Sequence, residues 1–344
     1  MTADAVGGVW TYVLELTGAL ARRGVEVHVA TMGRPLRRAE RDAAAAAGVA
    51  ALHESRFRLE WEDDPWADVD RAGDWLLELA SSHHAELVQL NGYVHAALEW
   101  DVPVVVVAHS DVLSWWRAVR RDAPPPHLDR YRTSVEAGLR AADLVCAPTC
   151  AALQDLATGY CFSTERAVVP NGRTPPVTTT PKEALVVALG RFWDEAKNVA
   201  ALDRIATRSP WPVVVAGPGT RAGRLDPPEA ARLLGRASIF AAPARYEPFG
   251  LAALEAAQAG CALVLGDIPS LREVWADAAV YVPPDDDDAI LAALRDLCAD
   301  GARRDGLAAR ARERAALYTP AAMAERMLAR YERVLARSAV GVGQ

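Results

Sequence analysis

The chain has 344 residues, about twice a typical domain, so two domains with two buried cores are expected. Its 51% apolar and 24% charged composition is that of an ordinary globular protein, and a net charge of -7 argues against a general nucleic-acid binder while leaving small anionic ligands open. No apolar run approaches about 18 residues and no basic-then-apolar leader opens the chain, so neither a membrane span nor a secretion signal is expected, and the reading is a cytoplasmic one.

In chain order, a glycine pair, Gly7-Gly8, opens a helix over Gly8–Arg23. Val25–Thr31, Glu86–Leu90, Val102–Ala108, Leu144–Ala147 and Arg166–Val169 read as buried strands. Helices fall near Asp64–Ser82, His127–Ala141 and Thr149–Thr158. Near-continuous Val-rich strands alternating with helices predict a parallel α/β sheet. Pro170–Lys182, rich in Pro and Thr, reads as a linker. Alternation then resumes, with strands near Ala184–Leu189, Pro212–Ala216, Ala237–Ala242, Ala262–Leu265 and Val280–Val282. The helices of this half fall near Asn198–Arg208, Pro227–Leu234, Gly250–Ala259, Pro269–Trp275 and Asp286–Cys298, and two Arg-rich helices, about Ala302–Leu317 and Pro320–Ala336, close the chain. The division expected is a first Rossmann-like domain over 1–170, a second over 183–318, and a last helix over 319–344 crossing back to the first.

Only six residues precede Gly7-Gly8, where such a half normally carries a full central strand. The expectation is a truncated first strand, and a chain extended upstream is expected to melt higher than one starting at Met1.

Rare residues carry information here. Two of the 38 basic residues are lysine, Lys182 and Lys197, leaving 36 arginines; Asn91, Asn171 and Asn198 are the only asparagines. This is the bias of a GC-rich, bacterial-type genome, in which a retained lysine reads as chemically required. The five cysteines, an odd number with four in apolar surroundings, read as buried free thiols of a reducing cytoplasm.

In RYEPFGLAALEAAQAGCALV, Pro248 and Gly250 set a turn before a helix. Glu247 precedes that helix and Glu255 leans back toward its start, so two carboxylates converge where free N–H groups attract anions. A phosphorylated sugar would fit; a capping Glu247 and a solvated Glu255 fit the spacing equally well. In ALGRFWDEAKN a strand ends at Gly190, and Arg191 and Lys197 stand at its carboxyl end, where α/β ligands bind. Cations are disfavoured at a helix N-terminus, so Lys197 there calls for an anion. His109 directly follows a strand, and VVPNG places Asn171-Gly172 at the linker. Asp285–Asp288 reads as a helix cap and not a metal site. Ten tryptophans are many for this length. Trp10, Trp115 and Trp116 could stack on sugar rings or could pack in the core.

These motifs together resemble glycosyltransferase family 4, of the GT-B fold. The Glu247-x7-Glu255 spacing, the flanking PFGL, the Gly-Arg…Lys clamp, the Gly7-Gly8 loop, His109 and the junction Asn-Gly match it, over nearly the whole chain. The resemblance implies two Rossmann-like domains facing across a cleft, the first binding the acceptor and the second a nucleotide sugar. It implies a retaining, metal-independent sugar transfer without a cofactor. His109, Arg191, Lys197 and Glu247 would act in the transfer. Gly7, Gly8, Arg191, Lys197, Leu225, Glu247, Phe249, Gly250, Leu251 and Glu255 would bind the donor, with Glu247 on the sugar and Glu255 on the ribose. Trp10, Trp115 and Trp116 are acceptor-side candidates, the acceptor being a sugar, a lipid-linked or a small molecule, and peripheral membrane contact is compatible with it. Gly217–Asp226 is shorter than the family's segment there, so Arg224 and Leu225 would clasp the base from a compact loop. The rival readings are a sugar-nucleotide epimerase, a pyridoxal-phosphate phosphorylase for which Lys197 would be the only lysine candidate, and a degenerate relative that binds without catalysis.

Overall fold

The structure, a computed structural model, describes residues 1–5, 7–176 and 180–341. The chain opens with β1 (Thr2–Asp4), α1 (Gly8–Ala21), β2 (His28–Met32), α2 (Arg38–Ala46), β3 (Ala51–Glu54), α3 (Trp66–Ser82) and β4 (Val88–Leu90). It continues through β5 (Val104–Val107), α4 (Val112–Val119), α5 (Asp129–Ala141), β6 (Leu144–Ala147), α6 (Cys150–Gly159) and β7 (Arg166–Val168). Next come β8 (Glu183–Leu189), α7 (Val199–Ile205), β9 (Val213–Ala216), α8 (Pro227–Arg236), β10 (Ala237–Ala242), α9 (Leu251–Gln258) and β11 (Ala262–Gly266). The last elements are α10 (Pro269–Trp275), β12 (Ala279–Val282), α11 (Asp287–Ala299), α12 (Gly301–Ala315) and α13 (Pro320–Gly341). Of the expected linker, Val177–Thr179 lie outside the described residues.

Two compact units form. One contains Met1–Ser114, Asp122–Gly172 and the segment from Pro320; the other contains Trp115–Arg121 and Arg173–Thr319. Every ladder in both is parallel.

In the first unit the strands run β1-β2-β3 and β4-β5-β6-β7. Among the described residues no ladder joins β1 to β4. The Asn91 side chain bridges them: its Nδ2 donates to Thr2 O (2.6 Å) and its backbone N–H donates to Thr2 Oγ1 (2.9 Å). The first strand has three residues, paired with β2 from Thr2 to Asp4. The four valines of β5 are all buried, because helices cover both faces of a parallel sheet. The sequence reading missed α2, β3 and α4. In α2 only Ala44 is buried, and β3 has no fully buried residue, so neither shows a usable apolar period.

In the second unit the order is β12-β11-β10-β8-β9. The chain goes from β8 to β9 on one side and then to β10 on the other, so the strand order reverses between β8 and β10.

The helix α13 belongs to the first unit. It packs on α1, and Met323, Ala324 and Met327, each 0% exposed, enter the core with Tyr12, Leu16 and Leu20. Met327→Ala is expected to cost the protein about 2–5 kcal/mol, the usual range for emptying a filled core position. Denaturant unfolding followed by circular dichroism measures this; an unchanged midpoint would mean that α13 adds nothing to the first unit's core.

Candidate functional site

In the second unit the residues singled out by sequence collect at the carboxyl ends of β8 and β10. Gly190 follows β8, and a Cβ on Gly217, after β9, would lie 2.0 Å from Gly190 O, so the two strand ends touch backbone to backbone. The chain turns through Arg191–Lys197, with Lys197 N donating to Asp194 O (3.0 Å). Asn198 then takes a left-handed conformation, φ 52°, at the start of α7. Its Nδ2 donates to Pro243 O (3.0 Å) and Pro284 O (2.6 Å), tying this turn to the loops after β10 and β12. Lys197 is thereby aimed at Glu247, with Nζ 2.5 Å from Oε2. The other Glu247 oxygen accepts from Gly250 N (3.0 Å), and Ser270 Oγ donates to Glu247 O (2.6 Å). The anion that a lysine at this helix start requires is thus supplied by the chain itself.

The other charges are paired in the same manner. Arg191 reaches Asp194 (2.8 Å), whose second oxygen accepts from Ala196 N (3.2 Å) and from the Trp115 indole (3.4 Å). Glu255 is not solvated: its Oε1 accepts from Arg173 Nε at 2.6 Å. Asp286 caps α11 by accepting from Ala289 N (2.8 Å). Its neighbours pair with arginine, Asp285 with Arg245 and Arg121, Asp287 with Arg204 and Asp288 with Arg208, so this run is a cap within an ion-pair network.

Two of the aromatic candidates have buried side chains. Phe249, 2% exposed, packs edge-on against Tyr318 in the second unit's core, so its side chain is out of a ligand's reach. Trp10, 8% exposed, lies in the first unit's core, the packing alternative of the two offered for it. Trp115 and Trp116 are half-buried with Arg120 over both rings. The exposed tryptophan near the strand ends is Trp193, 65% exposed, with the Arg191 guanidinium 4.8 Å from its ring centre. It sits inside the Gly-Arg…Lys motif, where no local spacing distinguishes an exposed tryptophan from a buried one. Gly250 is buried at the α9 N-cap, Leu251 and Leu225 are half-buried, and Gly7 and Gly8 are exposed. Gly7, φ 83°, is the N-cap of α1 and has no side chain to satisfy the first-turn N–H groups.

In the first unit, His109 follows β5. Its Nε2 lies 2.9 Å from Asn91 Oδ1 and its ring meets Tyr12 edge-on at 4.5 Å. Since Asn91 Nδ2 donates to Thr2 O, Asn91 Oδ1 must accept, which assigns the His109 proton to Nε2. Gln89 Nε2 donates to the same Oδ1 (3.1 Å), and Tyr331 of α13 donates to Gln89 Oε1. Burial lowers the His109 pKa to about 4, so the ring is neutral at pH 7.

Glu60 escaped the sequence reading. It is one of several acids in RLEWEDDP and nothing in the pattern marks it. Its carboxylate accepts from Tyr93 N (3.1 Å) and Val94 N (3.1 Å), just beyond β4 and Asn91. Burial raises its pKa to about 7 despite those two donors. The scarce residues prove largely structural: Lys182 Nζ donates to Leu234 O and Ala237 O, and Asn91 and Asn198 each join two segments. All five cysteines are free, but Cys150 and Cys161 are exposed, against the expectation of burial.

The two parallel α/β units have the GT-B fold, which solved structures share. A sucrose-phosphate synthase from Thermosynechococcus elongatus superposes with a TM-score of 0.76 at 19% identity, covering 98% of this chain and 99% of that one. The Anabaena protein HepE, in complex with UDP-glucose, gives 0.75 at 14% identity over 97% and 100%. The family model "Glycosyltransferase Family 4" matches residues 6–175, and "Glycosyl transferases group 1" matches residues 220–314. A D-inositol 3-phosphate glycosyltransferase of Xylanimonas cellulosilytica is 30% identical over 90% of this chain and 88% of that protein. A phosphatidyl-myo-inositol mannosyltransferase of Mycolicibacterium smegmatis is 29% identical; the match takes in 53% of this chain and 56% of the mannosyltransferase. The chain belongs to the family 4 glycosyltransferases.

Two outcomes are expected from this geometry. Asn198→Ala removes hydrogen bonds to one buried and one partly buried carbonyl and should cost about 2 kcal/mol, lowering the melting temperature. Equal melting would show that the turn holds itself. For Glu60, the folded pKa of about 7 lies above its ordinary 4.5, so its stabilising contribution is complete below pH 4.5 and is lost as pH rises through 7. Glu60→Gln cannot ionise. The melting temperature of wild type relative to this variant should therefore fall between pH 5 and pH 8; a constant difference would refute the burial of that carboxyl.

Proposed function

We propose that the chain transfers a sugar from a nucleotide-sugar donor to a hydroxyl-bearing acceptor, with retention and without a metal or cofactor. The observation that carries this is the Lys197–Glu247 pair, 2.5 Å apart, at the reversal of strand order between β8 and β10. In open parallel sheets ligands bind outside the carboxyl ends of the strands at such a reversal. A lysine and a carboxylate there suit a diphosphate joined to a sugar: the cation meets the phosphates and the carboxylate meets hydroxyls. HepE was solved with UDP-glucose, and the two relatives named above are a mannosyltransferase and a glycosyltransferase, which supports the same donor class here.

In this reading Arg191 and Lys197 face the diphosphate, whose charge grows as the sugar bond breaks, and stabilise it. They take the place of a metal ion. Glu247 holds sugar hydroxyls, Glu255 the ribose, and the open N–H groups at Gly7 and Gly8 the donor phosphate. His109, neutral and with Nε2–H committed to Asn91, offers Nδ1 as an acceptor to a sugar hydroxyl and no proton. The acceptor proton passes to a phosphate oxygen of the leaving group. The first unit binds the acceptor; inositol-bearing or lipid-linked acceptors suit the names of the relatives.

The ion pair sharpens the test. In wild type Lys197 is neutralised by Glu247, so Glu247→Ala releases a cation and should tighten nucleoside diphosphate binding while crippling transfer. Lys197→Ala removes the cation and leaves an unpaired carboxylate. Its turnover should fall at least about tenfold, the 1.4 kcal/mol or more of a charge-assisted contact, and its diphosphate affinity should fall too. The double variant should recover part of that affinity. Calorimetry with the diphosphate, in EDTA and in magnesium, and transfer assays with a donor found by thermal-shift screening read these values. Loss of binding in folded Glu247→Ala would move that glutamate off the sugar. Binding that requires magnesium would overturn the metal-free reading, and product of inverted anomeric configuration would overturn retention. Donor conversion without an acceptor to a second nucleotide sugar would favour an epimerase, and tight donor binding without turnover a degenerate binder.

A further inference from the structure

Three histidines that play no part in the reading above meet in the first unit. In the parallel register His28 pairs with Ala51 and Ala30 with His53, so His28 and His53 project from the same face of β2 and β3. That face is covered by α3: Ala30 and Met32 pack with Ala72 and Leu76. The helix runs on toward the start of β2 and ends at Ser82, where His83 is its C-cap residue. The covering of the sheet thus delivers a third imidazole to the first two. Ring centres lie 4.5 Å apart for His28 and His83, 4.8 Å for His53 and His83, and 5.6 Å for His28 and His53.

The ring nitrogens face inward. One from each residue lies within 4.8 Å of the other two, and His53 Nε2 is 3.4 Å from His28 Nδ1. Two imidazole nitrogens bound to one tetrahedral zinc at about 2.0–2.1 Å stand roughly 3.3 Å apart, so this pair already has the required edge. His28 Nε2 is 3.0 Å from Glu26 Oε1, which holds the proton on Nε2 and turns the Nδ1 lone pair toward its neighbours. Such a carboxylate behind an imidazole is what orients histidine ligands in metal sites. The carbonyl end of α3 adds negative potential at the same place.

We propose that His28, His53 and His83 form a binding site for a divalent transition metal of the zinc class, with Glu26 orienting His28 and water completing a tetrahedron. His28 is the first residue of β2, so the site is at the amino end of the strand, the end away from Asn91 and His109, which follow the carboxyl ends of β4 and β5. The metal would pin the end of α3 to β2 and β3 and has no step in sugar transfer.

Untagged, metal-free protein titrated with zinc chloride by calorimetry should bind a single equivalent, and cobalt chloride should raise the visible bands of tetrahedral cobalt. His53→Gln and His83→Gln should each weaken zinc binding at least tenfold and abolish the cobalt bands. Glu26→Gln should weaken binding by about tenfold, the usual loss for such a partner. His127→Gln, distant from the cluster in sequence and outside it in the structure, should bind as wild type does. His83 is exposed at a helix end, so its variant should keep the metal-free melting temperature and carries the test if His53→Gln folds poorly. Nucleoside diphosphate affinity should be the same with and without zinc. Absence of saturable binding in wild type, or cobalt bands that persist in both His53→Gln and His83→Gln, overturns the proposal.

Discussion

A parallel sheet whose strand order reverses leaves a gap above the reversal that neither flanking helix covers, and the placement of Lys197, Glu247 and His109 follows from it. In the second unit the reversal lies between β8 and β10, and the turns leaving those strands bring Lys197 and Glu247 into contact. In the first unit the corresponding position lies between β1 and β4. No ladder joins those strands among the described residues, and Asn91 closes the junction with its side chain and its own N–H. The same Asn91 oxygen then fixes the His109 tautomer. One physical problem, the unsatisfied backbone at a strand end, is solved in one unit by asparagine and in the other by Asn198, which donates to two carbonyls of neighbouring loops.

Charge neutrality is the second constraint. Arg191 with Asp194, Lys197 with Glu247 and Arg173 with Glu255 form three pairs, each half-buried and each summing to zero. Pairing stabilises cations that would otherwise stand unpaired beside the backbone dipoles of a helix start. It also means that an arriving anion does not meet bare positive charge. It must share a lysine already held by a glutamate, so its affinity depends on how far that glutamate can turn to other partners. In the proposed donor site, sugar hydroxyls would be such partners, coupling occupation of the diphosphate position to occupation of the sugar position. A free diphosphate lacks the hydroxyls that would engage Glu247 and should bind against the full competition of that carboxylate.

Much of this was legible in the sequence and the remainder was not, for identifiable reasons. The strands of the second half were placed within a residue or two, because runs such as the apolar part of β8 are buried on both faces. The cation–carboxylate site was legible as a set of positions, since Arg191, Lys197, Glu247 and Glu255 each follow a strand or open a helix. Their partners were not. Arg173 and Glu255 lie 82 residues apart, and no local spacing links them. Burial was the other blind spot: Trp10 and Trp193 are the same residue type near similar glycines, yet one is core and the other is exposed. Glu60 and the three clustered histidines were invisible because their significance is created by the pleat and by the length of α3, not by neighbours in the chain.

Lysine and asparagine are scarce in this chain, and where they occur the requirement they meet is not always catalytic. In a chain that writes nearly every cation as arginine, both lysines are retained where a compact point charge is needed. Lys182 places its ammonium among Leu234 O, Ala237 O and Cys261 Sγ, a pocket of acceptors converging on one atom. A planar guanidinium would have to spread its donors over a fork and would not fit that convergence. Lys197 meets one carboxylate oxygen end-on, leaving the second oxygen to the Gly250 N–H. An arginine there would claim both oxygens as a bidentate pair, would break the Gly250 contact that starts α9, and would hold Glu247 too firmly to release it to a sugar. The two retained lysines therefore share one requirement, a cation of small radius with freely rotating donors. In one case that requirement serves the fold and in the other the exchange of partners on which the proposed donor site relies.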